Sequence, residues 1–388
     1  MKYLFIITSG SILDLYVNMK KMGEDIEVFP GGEFHPHKDN ADEHALLEDF
    51  LKGKSYDCII SYMFIPSISD FCMDKGMLYV SWTYDSPLQD VYTESIENPC
   101  NIIFLFDKAE SEYVKSLGIN NVYYMPLAGD LSRVGAINIT EEDEKTFSHQ
   151  ISFIGSTYME NSYNQCVPFY PEDIKNEFKL YLMQNTCRWD RTKPWPSISE
   201  AATKFYEDTI KIDMPSLKYF PKSTFLGILV LSRKLAELDR LTVLNALAER
   251  HPVTIYTKDN SPYLENLEVH PGVDYSTDMN KVFYLSKINL NITLPSIRTG
   301  IPQRLFDIMQ CGGFLLTNWQ EEIDELFNPG KDIEVFHSLE ELTDKAGYYL
   351  SHEDARARIA INAYMTIRDH HTYPRRLRQM LDIINKYK

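Results

Sequence analysis

Residues 285–317, LSKINLNITLPSIRTGIPQRLFDIMQCGGFLLT, constrain the fold of this chain more than any other stretch. Residues 288–293 alternate apolar and polar side chains, which predicts a strand, and residues 314–317 predict a second strand. Between them, Pro302 suits the first turn of a helix, and the glycine pair that follows Cys311 suits its end. The segment is therefore predicted to be a strand, a loop, a helix and a strand, which is the repeating unit of a parallel α/β sheet.

The predicted helix carries charged groups near its N-terminus. The first N–H groups of a helix have no partner within it, and they point at whatever lies beyond the strand ends. Arg304 lies in the first turn and Asp307 lies three residues later, so both share one helical face. A guanidinium can bind phosphate with two parallel hydrogen bonds, and a carboxylate can accept two ribose hydroxyls. The pattern favours a nucleoside diphosphate site, and an ordinary surface ion pair between the two side chains is the alternative.

Several stretches resemble one known family. Residues 300–312, GIPQRLFDIMQCG, resemble the G-x-P-x-R/K…E-x-x-x-C-G signature of glycosyltransferases with the two-domain GT-B fold. FNPGKD at 327–332 and HTYPRR at 371–376 are similar to the C-terminal domain of CgeB-like, spore-maturation type bacterial glycosyltransferases. WTYDSP at 82–87 and YMPLA at 124–128 resemble the N-terminal domain of the same group. The resemblance implies transfer of a sugar, typically a hexose, from a nucleoside-diphosphate donor such as a UDP-sugar.

One position departs from the family pattern. Asp307 stands where the family usually has glutamate. Aspartate keeps the negative charge, but its side chain is one methylene shorter and reaches less far toward a ribose. The departure leaves open a chain that keeps the fold and binds a sugar or nucleotide without catalysing transfer.

The leaving diphosphate of such a reaction must be neutralised by a divalent metal or by cationic groups and a helix N-terminus. No D-x-D pair ends a predicted strand, so we expect the second route, with no metal and no cofactor. Arg304, Arg298 and the amides of Gly300 and Ile301 are the phosphate candidates. Arg240, predicted to open a helix before the strand at 253–256, resembles a family arginine, and a surface arginine is the alternative.

Further site residues follow from strand ends and from the resemblance. Gly155 and Ser156 follow the predicted strand that opens the second domain, where a phosphate or sugar can approach, although a small-residue turn explains them equally well. The GT-B resemblance implies that the base binds near Tyr275. On the acceptor side, Tyr84 and Asp85 follow an apolar strand, with Asp85 as the candidate general base. An Asx-turn role for Asp85 is the alternative. A tight turn at Gly10 and Ser11 also belongs to the acceptor side.

The composition excludes several classes of protein. With 388 residues and 44% hydrophobic content, the chain can form two domains with full cores. A formal charge of −17 argues against nucleic-acid binding, which needs a basic surface. No apolar run approaches the roughly 20 residues of a membrane span. The six cysteines show no zinc spacing or C-x-x-C pair, which favours a reduced, cytoplasmic location.

Strands alternate with helices along most of the chain, which predicts an α/β protein with doubly wound parallel sheets. We expect two Rossmann-like domains facing across a cleft: residues 1–145 on the acceptor side and 146–372 on the donor side. Residues 138–149 are polar and acidic and are predicted to be a linker. Residues 159–235 are predicted to form a mainly helical insertion, and 373–388 a helix that crosses back to the first domain.

The sequence therefore predicts a metal-independent, cytoplasmic glycosyltransferase of GT-B architecture that acts on a hydroxyl of a glycan or protein. Arg304 and Asp85 are its predicted catalytic residues. A nucleotide-sugar epimerase on the same fold and a non-catalytic nucleotide- or sugar-binding protein are the alternatives. Incubation with a panel of donors separates the three, because they give transfer, isomerisation, or binding alone.

Overall fold

A computed structural model describes residues 1–8, 13–34, 41–135, 137–211, 217–259 and 261–387. The chain forms two compact units. Their ranges are, for unit 1, Met1–Leu127, Asp213–Lys222 and Tyr373–Lys388, and for unit 2, Ala128–Ile212 and Ser223–Thr372. The change of unit after Leu127 lies earlier than the predicted boundary at residue 145.

Unit 1 is built on a six-stranded sheet whose strand pairs are all parallel. The strands are β1 (Lys2–Ile6), β2 (Asp25–Val28), β3 (Cys58–Tyr62), β4 (Leu78–Trp82), β5 (Asn101–Leu105) and β6 (Val122–Tyr124). Their order is β2-β1-β3-β4-β5-β6, with Tyr3 opposite Cys58 and Cys58 opposite Leu78. All residues of β3 and β5 are buried, as expected of parallel strands covered on both faces. Helices α1 (Asp14–Lys21), α2 (Ala41–Leu51), α3 (Pro66–Lys75) and α4 (Lys108–Ser116) connect these strands.

Unit 2 has a second six-stranded parallel sheet. Its strands are β7 (Ile151–Ile154), β8 (Val253–Tyr256), β9 (Glu268–His270), β10 (Ile288–Asn291), β11 (Leu315–Asn318) and β12 (Glu334–Phe336). The order β12-β11-β10-β7-β8-β9 places β7 between β8 and β10, with Ile151 opposite both Val253 and Ile288. The core packs apolar side chains of β7, β8 and β10 against α-helical residues such as Leu244 and Leu342.

Helices make up most of the rest of unit 2, and the last helix returns to unit 1. They are α5 (Leu131–Val134), α6 (Glu141–Phe147), α7 (Ser162–Cys166), α8 (Glu172–Asn185), α9 (Glu200–Phe205), α10 (Lys222–Gly227), α11 (Arg233–Ala248), α12 (Asp278–Leu285), α13 (Gln303–Gln310), α14 (Glu321–Leu326), α15 (Leu339–Ser351), α16 (Glu353–His370) and α17 (Tyr373–Ile384). In unit 1, α17 is tied down by Arg376, whose Nε donates to the carbonyl of Pro126 at 3.0 Å.

The structure agrees with the predicted α/β class and the two parallel sheets, and it corrects two local predictions. The predicted linker at 138–149 is wrong, because this stretch contains α6. Thr140 and Asp143 cap α6 reciprocally, and Lys281 lies 2.7 Å from the Asp143 carboxylate. Arg240 does not open a helix: it lies in the middle of α11, which begins at Arg233. The helix starts earlier than predicted because helical turns from residue 222 onward lead directly into it.

Unit 1 contains a buried acid with a testable pH dependence. Glu110 is fully buried and accepts hydrogen bonds from the N–H of Leu88 at 3.1 Å and the hydroxyl of Tyr92 at 3.0 Å. Burial, with the nearby charge of Asp107, raises the pKa of Glu110 from 4.5 to about 8. The folded state therefore holds a proton that the unfolded chain releases above its ordinary pKa.

We expect this proton to stabilise unit 1 fully below about pH 4.5, and the contribution to be lost as the pH rises through about 8. Glu110→Gln keeps the shape but does not titrate. Its melting temperature, measured by differential scanning fluorimetry from pH 5 to 9, should fall less with pH than that of the unchanged chain. Parallel curves for the two proteins would contradict the assignment. Glu112→Gln, on the same helix, is the control.

Candidate functional site

The candidate site of unit 2 lies at the carboxyl ends of β7 and β10. These strands are neighbours in the sheet but not in the sequence. From β7 the chain continues outward through β8 and β9 on one side, and then returns to the other side of β7 to form β10. The strand order reverses at this point, and open parallel sheets bind ligands in the crevice outside such a switch point. The loop after β10 and the N-terminus of α13 border the same edge, so the strand–loop–helix–strand segment of the sequence contributes directly to the site.

Arg240 joins the ends of the two strands. Its Nη1 donates to the carbonyl of Ser156 at 2.5 Å, and its Nη2 donates to the carbonyl of Ile292 at 2.8 Å. Only 9% of the residue is exposed, and its guanidinium lies 4.7 Å from the centre of the Tyr158 ring. Two backbone carbonyls thus orient a buried cation whose charge they do not neutralise.

Arg304 brings a second guanidinium to the same region. It lies in the first turn of α13, in contact with Met279 and 5.4 Å from the centre of the Phe283 ring. Burial lowers the pKa of Arg240, and the positive charge of Arg304 lowers it further, while Tyr158 and the carboxylates of Asp239 and Asp259 raise it. The two cations are therefore close enough to repel each other, and an anion between them would relieve that repulsion.

The N-terminus of α13 borders this positive region and has no side-chain cap. Pro302 occupies the N-cap position and supplies no side-chain cap. The preceding residues, Gly300 and Ile301, are buried, which brings the backbone of this turn into the protein beside Arg304. An uncapped helix N-terminus with an arginine in its first turn is suited to bind a phosphate group.

Asp307 is buried, with 2% of its surface exposed, and it does not pair with Arg304. Its Oδ1 accepts hydrogen bonds from Arg133 Nη2 at 2.7 Å, from the Tyr275 hydroxyl at 3.1 Å and from Gln303 Nε2 at 3.1 Å. The guanidinium of Arg133 also lies 4.0 Å from the centre of the Tyr275 ring. The alternative of a surface ion pair between Arg304 and Asp307 is therefore wrong: Arg133 is the partner of Asp307, and Oδ2 takes no part in these three bonds.

Arg133 is a site residue that the sequence analysis missed. It lies in the short helix α5 and is separated from Asp307 by 174 positions. No local motif surrounds it, and it lies in the part of the chain that was assigned to the first domain. A prediction of strand order would not have found it either, because its contact depends on how α5 packs against α13.

Gly155 and Ser156 lie at the end of β7, beside Arg240. A Cβ atom at Gly155 would lie 3.2 Å from the Phe153 ring and 3.7 Å from Arg240 Nη1, so the backbone passes close to the guanidinium. The Ser156 hydroxyl donates to Asp259 Oδ2 at 2.6 Å. Burial disfavours the charge of Asp259, but hydrogen bonds from Ser156 and the two residues that follow outweigh it and lower the pKa. Asp259, also missed by the sequence analysis, thereby fixes this turn.

Arg298 lies in different surroundings from Arg304. Its guanidinium lies 5.2 Å from the centre of the Trp195 ring and lines a pocket with Arg188 and Arg191, from the non-helical segment between α8 and α9. The structure thus brings Arg240, Arg304, Gly155 and Ser156 to the switch point. Asp307 lies on α13 with Arg304, and the Tyr275 hydroxyl is hydrogen-bonded to Asp307. Arg298 faces the neighbouring pocket instead.

In unit 1, the acceptor-side candidates follow β4. Asp85 is exposed, whereas Tyr84 is partly buried with its ring centre 4.5 Å from that of Tyr62. The Tyr84 hydroxyl lies 3.1 Å from that of Tyr373 on α17, and burial raises the pKa of Tyr84 well above its ordinary value. The candidates Gly10 and Ser11 lie outside the described residues.

Comparisons with known proteins bear on the fold. Residues 234–382 match the sequence profile of a family described as glycosyl transferase-like. The structure is similar to HepE from Anabaena in complex with UDP-glucose, at 10% identity and a TM-score of 0.58 over 100% of both chains. These similarities show that the chain has the GT-B fold and that residues 234–382 are similar to the glycosyl transferase-like family. A search of the curated proteins found no match.

Two further GT-B structures are similar over nearly their whole length. Sucrose-phosphate synthase from Thermosynechococcus elongatus has 8% identity and a TM-score of 0.54, covering 100% of this chain and 99% of the other. A glycosyltransferase from Rickettsia africae has 10% identity and a TM-score of 0.55, covering 99% and 98%. Within the described part of the chain, no helix is long and apolar enough to cross a membrane.

Proposed function

We propose that the chain is a glycosyltransferase that takes a sugar from a nucleoside-diphosphate donor bound at the switch point of unit 2. The observation that carries the proposal is the pair of guanidinium groups, Arg240 and Arg304, beside the uncapped N-terminus of α13. The match of residues 234–382 to a glycosyl transferase-like family supports it. So does the GT-B fold, since HepE has been crystallised with UDP-glucose. No comparison points to an epimerase.

The diphosphate of the donor is assigned to the two arginines. Arg240 is held by the carbonyls of Ser156 and Ile292, so its fork is oriented before the donor binds. Arg304 approaches from α13 with the helix N-terminus behind it. As the glycosidic bond breaks, negative charge grows on the leaving diphosphate, and fixed cations in a partly buried site stabilise it without reorganising.

The ribose of the donor is assigned to Asp307. Its Oδ1 is occupied by Arg133, Tyr275 and Gln303, which leaves Oδ2 as the acceptor for ribose hydroxyls. This arrangement compensates for the short aspartate side chain, because three donors hold the carboxylate in one orientation. The Tyr275 ring is covered on one face by Arg133, so the base is expected beside this pair rather than on that face.

The acceptor is assigned to unit 1, with Asp85 as the general base for a hydroxyl of a glycan or protein. Asp85 is exposed at the end of β4, where a carboxylate can meet a large substrate. Tyr84 would position the acceptor from the same turn. Asp85→Asn should lower kcat for transfer and leave the dissociation constant of the donor nearly unchanged. A similar loss in both quantities would reassign Asp85 to donor binding.

Titration calorimetry with UDP, GDP, CDP and dTDP, followed by assays of sugar transfer with the matching donor, tests the proposed function. One diphosphate should bind clearly more tightly than the others. If none binds to the folded chain, the donor site is wrong. Binding followed by isomerisation or by no reaction would favour the alternative functions.

The use of arginines for the diphosphate predicts that catalysis needs no divalent metal. Excess EDTA should leave kcat within about twofold of its value in added Mg²⁺, since charge stabilisation comes from Arg240, Arg304 and the helix N-terminus. The measurement is the rate of nucleoside-diphosphate release after exhaustive dialysis against EDTA. Loss of activity that Mg²⁺ or Mn²⁺ restores would contradict this mechanism.

A further inference from the structure

A second pocket of unit 2 is rich in cations. Arg188, Arg191 and Lys193, from the segment between α8 and α9, face Arg298 from the loop after β10. Trp319 and Gln320, which follow β11, complete the wall. No acidic side chain is among the described residues that line the pocket. Four cationic side chains line this one pocket, although the chain as a whole has a formal charge of −17. The fold itself does not require such a concentration of positive charge.

Contacts between the insertion and the sheet hold this pocket in shape. Trp195 Nε1 donates to the carbonyl of Ser296 at 2.8 Å, and the same indole ring lies against the guanidinium of Arg298. Lys193 Nζ donates to the carbonyl of Asn185 at 3.0 Å. Burial lowers the pKa of Lys193, whereas Asp239 and Asp190 raise it. The segment between α8 and α9 thus holds Lys193 partly desolvated, with the exposed Arg188 and Arg191 beside it, and an anion in the pocket would interact favourably with all three.

The pocket adjoins the donor site along β10. Thr293 lines the pocket, and the residue before it, Ile292, accepts the hydrogen bond from Arg240. One strand end therefore borders both sites. The donor sugar, whose diphosphate would be bound at Arg240, would therefore lie near the pocket. So would the acceptor sugar to which the donor sugar is transferred.

We propose that this pocket recognises an anionic group, a carboxylate or a phosphoryl group, on one of the sugars in the reaction. The proposal rests on the proposed function, since it assumes that a sugar is transferred at the neighbouring site. The anionic group belongs either to the donor sugar or to the acceptor sugar. Both sources have the same chemistry, so they are separated by experiment.

The test measures dissociation constants by titration calorimetry for two pairs of probes. UDP-glucuronate and UDP-glucose differ only in the carboxylate of the donor sugar. Glucose 6-phosphate and glucose, titrated with and without saturating UDP, represent an anionic and a neutral acceptor. In at least one pair, the anionic probe should bind ten times more tightly or better, which corresponds to about 1.4 kcal/mol.

The variant Arg188→Gln/Arg191→Gln should remove at least tenfold of that preference, and this loss should exceed any loss of affinity for UDP. Both side chains are exposed, so the substitutions are compatible with folding, and the melting temperature checks this. Arg250→Gln is the matched control, because Arg250 is an exposed arginine just before the amino end of β8, whereas the pocket lies at the carboxyl ends of the strands. It should keep the full preference.

Each result has one meaning. A preference in the UDP-sugar pair places the anion on the donor, and one in the glucose pair places it on the acceptor. No preference in either pair, or a preference that survives in the double variant, overturns the proposal. If none of UDP, GDP, CDP and dTDP binds, the proposed function fails. The glucose 6-phosphate titration without UDP, repeated on the double variant, then still decides whether the pocket binds anions.

Discussion

Arg304→Ala is expected to lower kcat at least about a hundredfold, because removing one preorganised donor to a developing anion typically has that effect. Arg304 contacts Met279 and Phe283 and carries no structural ion pair to Asp307, so the fold should survive its loss. The measurement is release of UDP from a UDP-sugar donor at saturating concentration, together with the dissociation constant of UDP. Arg304→Lys should recover only part of the rate, since an ammonium group lacks the planar fork that grips two phosphate oxygens.

Arg250→Ala serves as the control for the lost charge, because it also removes one arginine from unit 2. Arg250 precedes the amino end of β8, away from the carboxyl ends of the strands where the site lies. Its kcat should stay within about twofold of the unchanged chain, as for surface sites away from the reaction. A folded Arg304→Ala variant with normal kcat and normal UDP affinity would show that the leaving group is neutralised elsewhere, and the assignment of the diphosphate would fall.

Arg133→Ala is expected to destabilise unit 2 by about 3–5 kcal/mol, the usual effect of leaving one member of a buried ion pair without its partner. The side chains of Arg133 and Asp307 are only 10% and 3% exposed, and their atoms lie 2.7 Å apart. Equilibrium unfolding in urea, followed by tryptophan fluorescence, measures the change. The variant should also bind UDP more weakly, because Asp307 loses one of the three donors that orient it.

A double-mutant cycle separates the pair from its surroundings. Asp307→Leu alone leaves Arg133 buried and without its carboxylate, and Arg133→Met alone leaves Asp307 buried and without its cation. The double variant Arg133→Met/Asp307→Leu replaces both charges by apolar groups. The double variant should be more stable than either single variant at these positions, since removing both charges avoids an unpaired ion. Additive losses in the cycle would show that the two side chains do not depend on each other.

The features that could be predicted from the sequence are local. The strand, loop and helix at 288–310 follow from alternation, proline and glycine within one stretch, and the structure has β10 and α13 there. The position of Arg304 in the first turn follows from the same reading. The two-sheet α/β architecture was also predictable, because most strands are followed by a helical stretch. The helix α6 was not predictable, since a short polar helix resembles a linker in composition. The start of α11 was also not predictable, since helical turns from residue 222 onward lead directly into it.

The sequence by itself determined most of the strands and helices, and in particular which end of α13 carries a cation. Only the tertiary structure decided the partners: Arg133 for Asp307, Asp259 for the turn at Ser156, and Arg240 for two strand ends. It also placed the cations of the insertion around Arg298. Local structure depends on neighbours a few residues apart, whereas these contacts join distant residues. The Arg240 contact exists because the strand order brings β7 beside β10, and the Arg133–Asp307 contact exists because α5 packs against α13. No local pattern encodes either arrangement.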